Sequence, residues 1–397
     1  MNAEIIKKKA EDLAEKLTGL RRKFHANPEL SWQEKETSLF VEEYLRNLGL
    51  ENIKRGFRGT ESGVTADLRG SRPGKFIALR GDMDALPLEE ENDVPYRSTR
   101  PGVMHACGHD AHTAMLLGAA EILSSMKEEL AGGVRFIFQP AEEAGQNSGA
   151  LPMIEEGVLD GVDAAGGLHI WAELPAGKVG WRVGPFMASA DIWDLKVTGK
   201  GGHGAMPHRA VDPTVAAATV VSTLQTVVSR EVDPQETVVL SVGLLEAGTA
   251  FNIIPETARI AGNIRTTNPE VRAGMKDIVQ RVADGVCSAL RCGAELDFIP
   301  IYPVTVNEPR ATEFMKAAAK DLAGADCLMK IPVAMGSEDF SYFGQKVPAA
   351  YVFLGMADEA KGGFTSHHNP RFDVNDDVLS TGAALLSLFA ARMAEEF

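Results

Sequence analysis

The sequence predicts an α/β protein in which a discontinuous domain, a mixed sheet covered by helices, is interrupted by a smaller inserted α+β domain. Three observations carry this. β-type and helical runs alternate over the first part of the chain, the order of elements changes from about Phe186, and the first pattern resumes near residue 300. The length of 397 residues also exceeds the size at which a single core usually stops growing. The expected boundaries are 1–185 and 299–397 for the larger domain and 186–298 for the insert.

Taken in order, Leu13, Leu17, Leu20 and Phe24 recur at a helical period that stops at Asn27-Pro28. Gly63–Leu68 and Lys75–Arg80 read as strands, the second running into Asp82 and Asp84. Met115, Ala119, Ile122 and Met126 mark an amphipathic helix, and the strand Val134–Phe138 after it leads to Glu142-Glu143. Val162–His169 repeats the strand pattern. In such a sheet, ligands bind beyond the carboxyl ends of the strands, where these clusters fall.

The insert reads as strand Asp191–Thr198, a helix from Asp212-Pro213, strands Thr237–Leu244 and Ala258–Arg265, helix Pro269–Leu290 and strand Ala294–Ile301. Asp212 supplies a cap and Pro213 a preset first turn. The order β-α-β-β-α-β describes a ferredoxin-like unit. A last helix carries Leu379, Leu386, Phe389 and Met393 on one face.

With 55 acidic against 40 basic residues, the net charge is -15, which repels phosphate backbones and anionic lipid. Neither nucleic acid nor a membrane is an expected partner. The first twenty residues are charged throughout, and no apolar run is expected to reach membrane-spanning length. Four cysteines without a CxxC pair do not form a disulfide framework. A reducing, cytoplasmic location is expected.

The chemistry concentrates in His105-Ala-Cys107-Gly-His109-Asp-Ala-His112. Cys107 and His109, two apart, can be aimed at one ion by a single turn, and thiolate with imidazole favours zinc or a neighbouring transition metal. A buried cysteine beside a structural histidine is the competing reading. The adjacent Glu142 and Glu143 cannot both point the same way, so one suits a metal and the other a substrate. A carboxylate facing the substrate could take a proton from water and return it to a leaving amine. His169 and the pair His367-His368 add imidazoles downstream. Together these groups point to a metal-dependent hydrolase.

Arg80-Gly-Asp-Met-Asp-Ala-Leu-Pro, Met104-His-Ala-Cys-Gly-His-Asp-Ala-His-Thr, Phe138-Gln-Pro-Ala-Glu-Glu, Lys200-Gly-Gly-His-Gly, Phe251-Asn-Ile-Ile-Pro, Gly336-Ser-Glu-Asp-Phe and His368-Asn-Pro-Arg-Phe resemble the N-acyl-amino-acid amidohydrolase family of dinuclear metallopeptidases. Aminoacylase, hippurate hydrolase, indole-acetyl-amino-acid hydrolase and aminobenzoyl-glutamate hydrolase types belong to it. The motifs occur in the family's order, from the Arg22–Leu30 segment to Phe372. The resemblance implies a zinc-exopeptidase-like catalytic domain whose insert serves as lid and dimerisation domain, hence a homodimer. It implies two divalent ions per subunit, manganese or zinc, with cobalt or nickel as alternatives. Cys107 would bridge them, with His109, Glu143, His169 and His368 completing the shells. His368 is preferred to His367 because it directly precedes Asn-Pro. Glu142 would be the general acid/base, and His203 would donate to the oxyanion. Asn252 and Arg265 would bind the substrate, while Asp84, His105 and His112 would orient the site through hydrogen bonds. The expected substrate is an N-acyl amino acid. A carboxypeptidase or dipeptidase on the same site is the alternative, and a catalytically silent metal- or amino-acid-binding homologue is the remote one.

Overall fold

In the computed structural model, which describes residues 1–358, 360 and 363–397, the alternating runs of the first and last parts of the chain form one eight-stranded mixed sheet. Its strand order is Glu51–Arg55, Val64–Arg69, Ala131–Gln139, Arg72–Asp82, Ala164–Pro175, Ala349–Ala357, Val179–Trp181 and Leu328–Lys330. The central strands Ala131–Gln139, Arg72–Asp82, Ala164–Pro175 and Ala349–Ala357 run parallel, with Asp82 opposite Gln139 and His169 opposite Phe353. Their carboxyl ends therefore open on one side, and the chemical clusters follow them.

Two compact units account for the described residues. The first comprises Met1–Phe186, Val306–Pro332 and Asp339–Phe397, and the second Met187–Thr305 with Val333–Glu338. Each has its own apolar core. In the first, helices His109–Ser125 and Leu379–Glu396 pack on the sheet, and helix Ala14–Ala26 packs on those two helices. A further helix, Ala3–Asp12, precedes the helix expected around Leu13–Phe24 and is capped by the Asn2 side chain. The apolar stretch at the C-terminus does reach membrane-spanning length: Asp376–Glu396 has mean hydropathy 1.2. That corrects the expectation that no run is long enough. Its apolarity has a packing cause, since 78% of the window is buried and Leu385, Leu386, Leu388, Phe389 and Met393 lie in the core.

The second unit has an antiparallel sheet ordered Val238–Ala247, Thr257–Thr266, Ala190–Thr198 and Gly293–Tyr302, with helices Pro213–Thr226 and Pro269–Ala289. In chain order this is strand two, three, one, four, the ferredoxin-like arrangement. Both helices start as the sequence dictates. Asp212 accepts from Thr214 N–H and Asn268 from Glu270 N–H, each followed by proline at the first helical position. The longer helix buries Met275, Val279, Val282, Ala283 and Cys287.

Candidate metal centre and active site

Helix His109–Ser125 begins on a candidate ligand, and the residue before it, Gly108, has φ +92°. A Cβ at Gly108 would lie 2.3 Å from Ile170 Cδ1, so both the left-handed backbone and the close approach require glycine. This turn brings Cys107 and His109 to the same place. Cys107 Sγ is 3.4 Å from His169 Nε2. The donor atoms of Cys107, His109 and His169 lie within 4.8 Å of one another, as do those of Cys107, Glu143 and His368. Two sets of three donors thus share one sulfur. Glu142 Oε2 is 4.0 Å from His109 Nε2, and His368 Nε2 is 3.0 Å from Glu143 Oε1.

The ring nitrogen that each histidine does not turn to this cluster decides its role. His109 Nδ1 is 3.1 Å from Asp84 Oδ1, while its Nε2 is buried with no hydrogen-bond partner among the described residues. His169 Nδ1 donates to Ile170 O, which leaves Nε2 toward the sulfur. His112 is fully engaged. Its Nε2 accepts from Ile170 N–H at 2.9 Å, so Nδ1 carries the proton and donates to Asp82 Oδ1 at 2.6 Å. No lone pair of His112 remains for an ion. His367 Nε2 meets Ile170 O at 3.1 Å, which turns it onto the backbone while its neighbour His368 reaches Glu143. His105 departs from the expected orienting role. It is buried, and neither ring nitrogen has a hydrogen-bond partner among the described residues. Its nearest titratable ring is His25, 6.4 Å away between centroids, and burial pushes it down to about 4.

Carboxylates set the electrostatics. Burial alone would raise Asp82 and Asp84. Arg80, His109 and His112 overcome it at Asp82, and hydrogen bonds from His109, Ser31 and a backbone N–H overcome it at Asp84, so both are held low. Burial opposes charge on His109, yet Asp82 and Asp84 hold it up to about 10. Burial, then Glu143, Glu142 and Asp82, push the Cys107 thiol up. Carboxylates crowded round a buried thiol and an imidazole nitrogen without a partner form a donor set that a divalent cation satisfies. The residues therefore fit a metal centre.

Asp84 also accepts the backbone N–H groups of Glu142 and Glu143, at 3.0 and 2.9 Å. The turn bearing both glutamates is thereby tied to the same carboxylate that orients His109. Beneath the helix start, Asp110 accepts from Arg21 Nε at 2.9 Å and meets His25 Nδ1 at 2.8 Å, while His25 Nε2 reaches Glu90 at 3.2 Å. Sequence reasoning missed Arg21, His25 and Glu90. Arg21 and His25 signal only as ionisable residues on the buried face of helix Ala14–Ala26, and Glu90, outside any helix, carries no such signal.

The second unit carries the other three residues. Gly202-His203 pairs with Ile253-Ile254, His203 opposite Ile253, and Gly204 N–H donates to Asn252 O at 2.9 Å. This brings His203 and Asn252 together. Ala205 N–H donates to His203 Nδ1 at 3.0 Å, so Nε2 carries the ring proton and is a donor. Arg265, at the end of strand Thr257–Thr266, donates to Ser337 Oγ at 3.0 Å. Burial lowers its guanidinium, with Asp191 acting in the opposite direction.

Residues 78–392 match the model of peptidase family M20/M25/M40. The chain is 41% identical to thermostable carboxypeptidase 2 of Saccharolobus solfataricus, with 99% of each chain covered. It is 40% identical to the IAA-amino acid hydrolase ILR1-like 4 of Arabidopsis thaliana, over 97% of this chain and 87% of that one. Its fold matches that of the Bacillus subtilis YXEP protein, a dinuclear metal-binding peptidase of the M20 family, with a TM-score of 0.84, 33% identity and 96% and 98% of the two chains covered.

Proposed function

The chain belongs to peptidase family M20/M25/M40 and is a metal-dependent amidohydrolase; from that premise we propose how its residues divide the work and what it cleaves. The substrate is an N-acyl amino acid, split into a carboxylate and a free amino acid. The observation that carries the reaction is the pair of donor sets sharing Cys107 Sγ beside Glu142, and the relatives that hydrolyse acylated amino acids support the substrate class. Cys107, His109 and His169 would hold one divalent ion, and Cys107, Glu143 and His368 a second; thiolate and imidazole favour zinc or a neighbouring transition metal by donor type, and manganese is the ion the family resemblance adds. Such ions supply acidification of a water and polarisation of the scissile carbonyl.

The protein's own groups do the rest. Glu142 takes the proton of the attacking water and returns it to the departing nitrogen, so one carboxylate serves both halves of the reaction. Asp84 keeps His109 in the tautomer whose Nε2 is free to ligate. His203 Nε2–H is a donor of the kind an oxyanion requires. Asn252 and Arg265 carry the amide and guanidinium donors that a substrate carbonyl and carboxylate require. The test is a hydrolysis panel with added manganese or zinc: N-acetyl amino acids, hippurate, indole-acetyl-alanine, aminobenzoyl-glutamate and unblocked peptides. Release of free amino acid from the acylated substrates is expected. Turnover of unblocked peptides alone replaces this substrate class with carboxypeptidase action, a reading supported by the 41% identity to a carboxypeptidase.

We also propose a homodimer through the second unit. Edge strand Val238–Ala247 exposes Val239 and Leu245, and Phe251 and Ile253 are exposed nearby in the chain. Light scattering that returns a monomer mass of 42.6 kDa would sink it. A cytoplasmic location is proposed on the four free, buried cysteines, and the net charge argues against nucleic acid and anionic membranes as partners. Recovery of the protein in a cell-membrane or secreted fraction would overturn this.

A further inference from the structure

The turn bearing Glu142 and Glu143 is held from outside by one short segment, Ser31–Glu34. Ser31 Oγ donates to Asp84 Oδ2 at 2.7 Å. The Trp32 indole N–H donates to Asn147 O, at the far end of the turn Glu142–Asn147. The Arg58 guanidinium lies 5.5 Å from the Trp32 ring and donates to Asn147 Oδ1 at 3.2 Å. At the near end, Glu34 Oε1 accepts from Ala141 N–H at 2.8 Å. The segment is itself tied to the strand end carrying Asp84, since Leu30 bridges Ala85 and Ala85 N–H donates to Glu29 O.

Glu34 is the informative member. It stands at the N-cap of helix Lys35–Asn47 but makes no capping bond. Glu29 does that work, accepting from the N–H groups of Glu36 and Thr37. Glu34 is also completely buried, a costly place for a carboxyl with no capping duty. Its carboxyl also bonds the Ser62 side chain; toward the glutamate turn it holds Ala141, whose φ of +57° and ψ of +42° place a residue with a Cβ in the left-handed region. Glu142 and Glu143 follow directly, so the backbone direction at Ala141 decides where both carboxylates point.

We propose that Glu34 is a positioning residue for hydrolysis: by accepting the Ala141 N–H it fixes the left-handed turn that separates Glu142, directed at substrate and water, from Glu143, directed at the ligand set. Ser31 and Trp32 hold the same turn at Asp84 and at Asn147. The inference rests on the roles given above to Glu142 and Glu143.

The experiment compares Glu34→Gln with Glu34→Met, two side chains of similar volume of which only glutamine can accept the Ala141 N–H. For each, kcat, KM, bound metal and amide exchange of residues 139–149 are measured, on a substrate the wild type turns over. Glu34→Gln should keep kcat within about threefold, and Glu34→Met should lose about 10²-fold in kcat with KM nearly unchanged, the signature of a misaimed group. The Ala141 amide should exchange faster in Glu34→Met alone. Adding Ala141→Gly to Glu34→Met, which lets the backbone adopt the turn without help, should recover about tenfold. Wild-type kcat in Glu34→Met, or equal losses in the methionine and glutamine variants, overturns the proposal. Should Glu34→Met not fold, Glu34→Gln decides: slow Ala141 exchange with retained kcat supports it, and a loss beyond about tenfold overturns it. A wild type that cleaves no acylated amino acid or peptide overturns the reading of the reaction instead, and Ala141 exchange then still tests the contact.

Discussion

The donor cluster around Cys107 and the ribbon carrying His203 use the same kinds of side chain in opposite surroundings. In the first, Cys107, His109 and His169 are buried, and the second nitrogen of each ring is bound to a carboxylate or a carbonyl. In the second, His203 and Asn252 are exposed on a two-residue pairing, with one local hydrogen bond selecting the imidazole proton. The difference accords with the roles proposed above: an ion's ligands are oriented by buried partners on their far side, whereas the exposed His203 has its tautomer set locally and would take its aim from the ribbon that carries it.

The sharpest test of the contrast is Glu142→Gln, expected to cost about 10²–10⁴-fold in kcat while metal analysis shows wild-type content. Lost metal would return Glu142 to the ligand set. His203→Ala comes next, with kcat down about 10²–10³-fold but thermal stability and metal content unchanged, as suits an exposed side chain. A large fall in Tm would show the ribbon to be structural. Asp84→Asn should weaken metal binding about 10–100-fold, read by competition with a chelator. An unchanged affinity would mean that His109 does not depend on its partner.

The smallest effect lies beneath the cluster. Burial opposes charge on His25, but Asp110 and Glu90 outweigh it and raise it from 6.5 to about 9. The folded value exceeds the unfolded one, so this stabilisation is complete below pH 6.5 and is lost as pH rises to about 9. Glu34 acts in the same direction. Burial and Asp84 raise it from 4.5 to about 8, so its contribution is also greatest in acid and is lost as pH rises through that interval. Tm should therefore fall between pH 6.5 and 9, and His25→Gln should flatten the slope. An identical slope in the variant would remove His25 as its source.

Much of this architecture is legible in the residues because it rests on periodicity and local chemistry. The stripe from Leu13 to Phe24, the Asp212-Pro213 and Asn268-Pro269 helix starts and the β-α-β-β-α-β order each follow from short-range rules. The donor types in Cys107 and His109 are equally plain, whereas the choice of Glu143 over Glu142 and of His368 over His367 comes from the family resemblance. The three-residue strands Val179–Trp181 and Leu328–Lys330 are too short to show alternation. The partners that separate His109 from His112 lie 25 and 30 residues away, and nothing local announces them. Glu34 is harder still: it meets Ala141 across 107 residues, and a glutamate just before a helix passes for the acidic residue common at a helix start.

Gly108 has a reach beyond its own turn. The side chain it faces belongs to Ile170, whose amide and carbonyl serve His112, His169 and His367 together. One added methyl at position 108 would thus press on the side chain of the very residue whose peptide groups moor three imidazoles, so a missing side chain on one segment leaves room for the anchor of another.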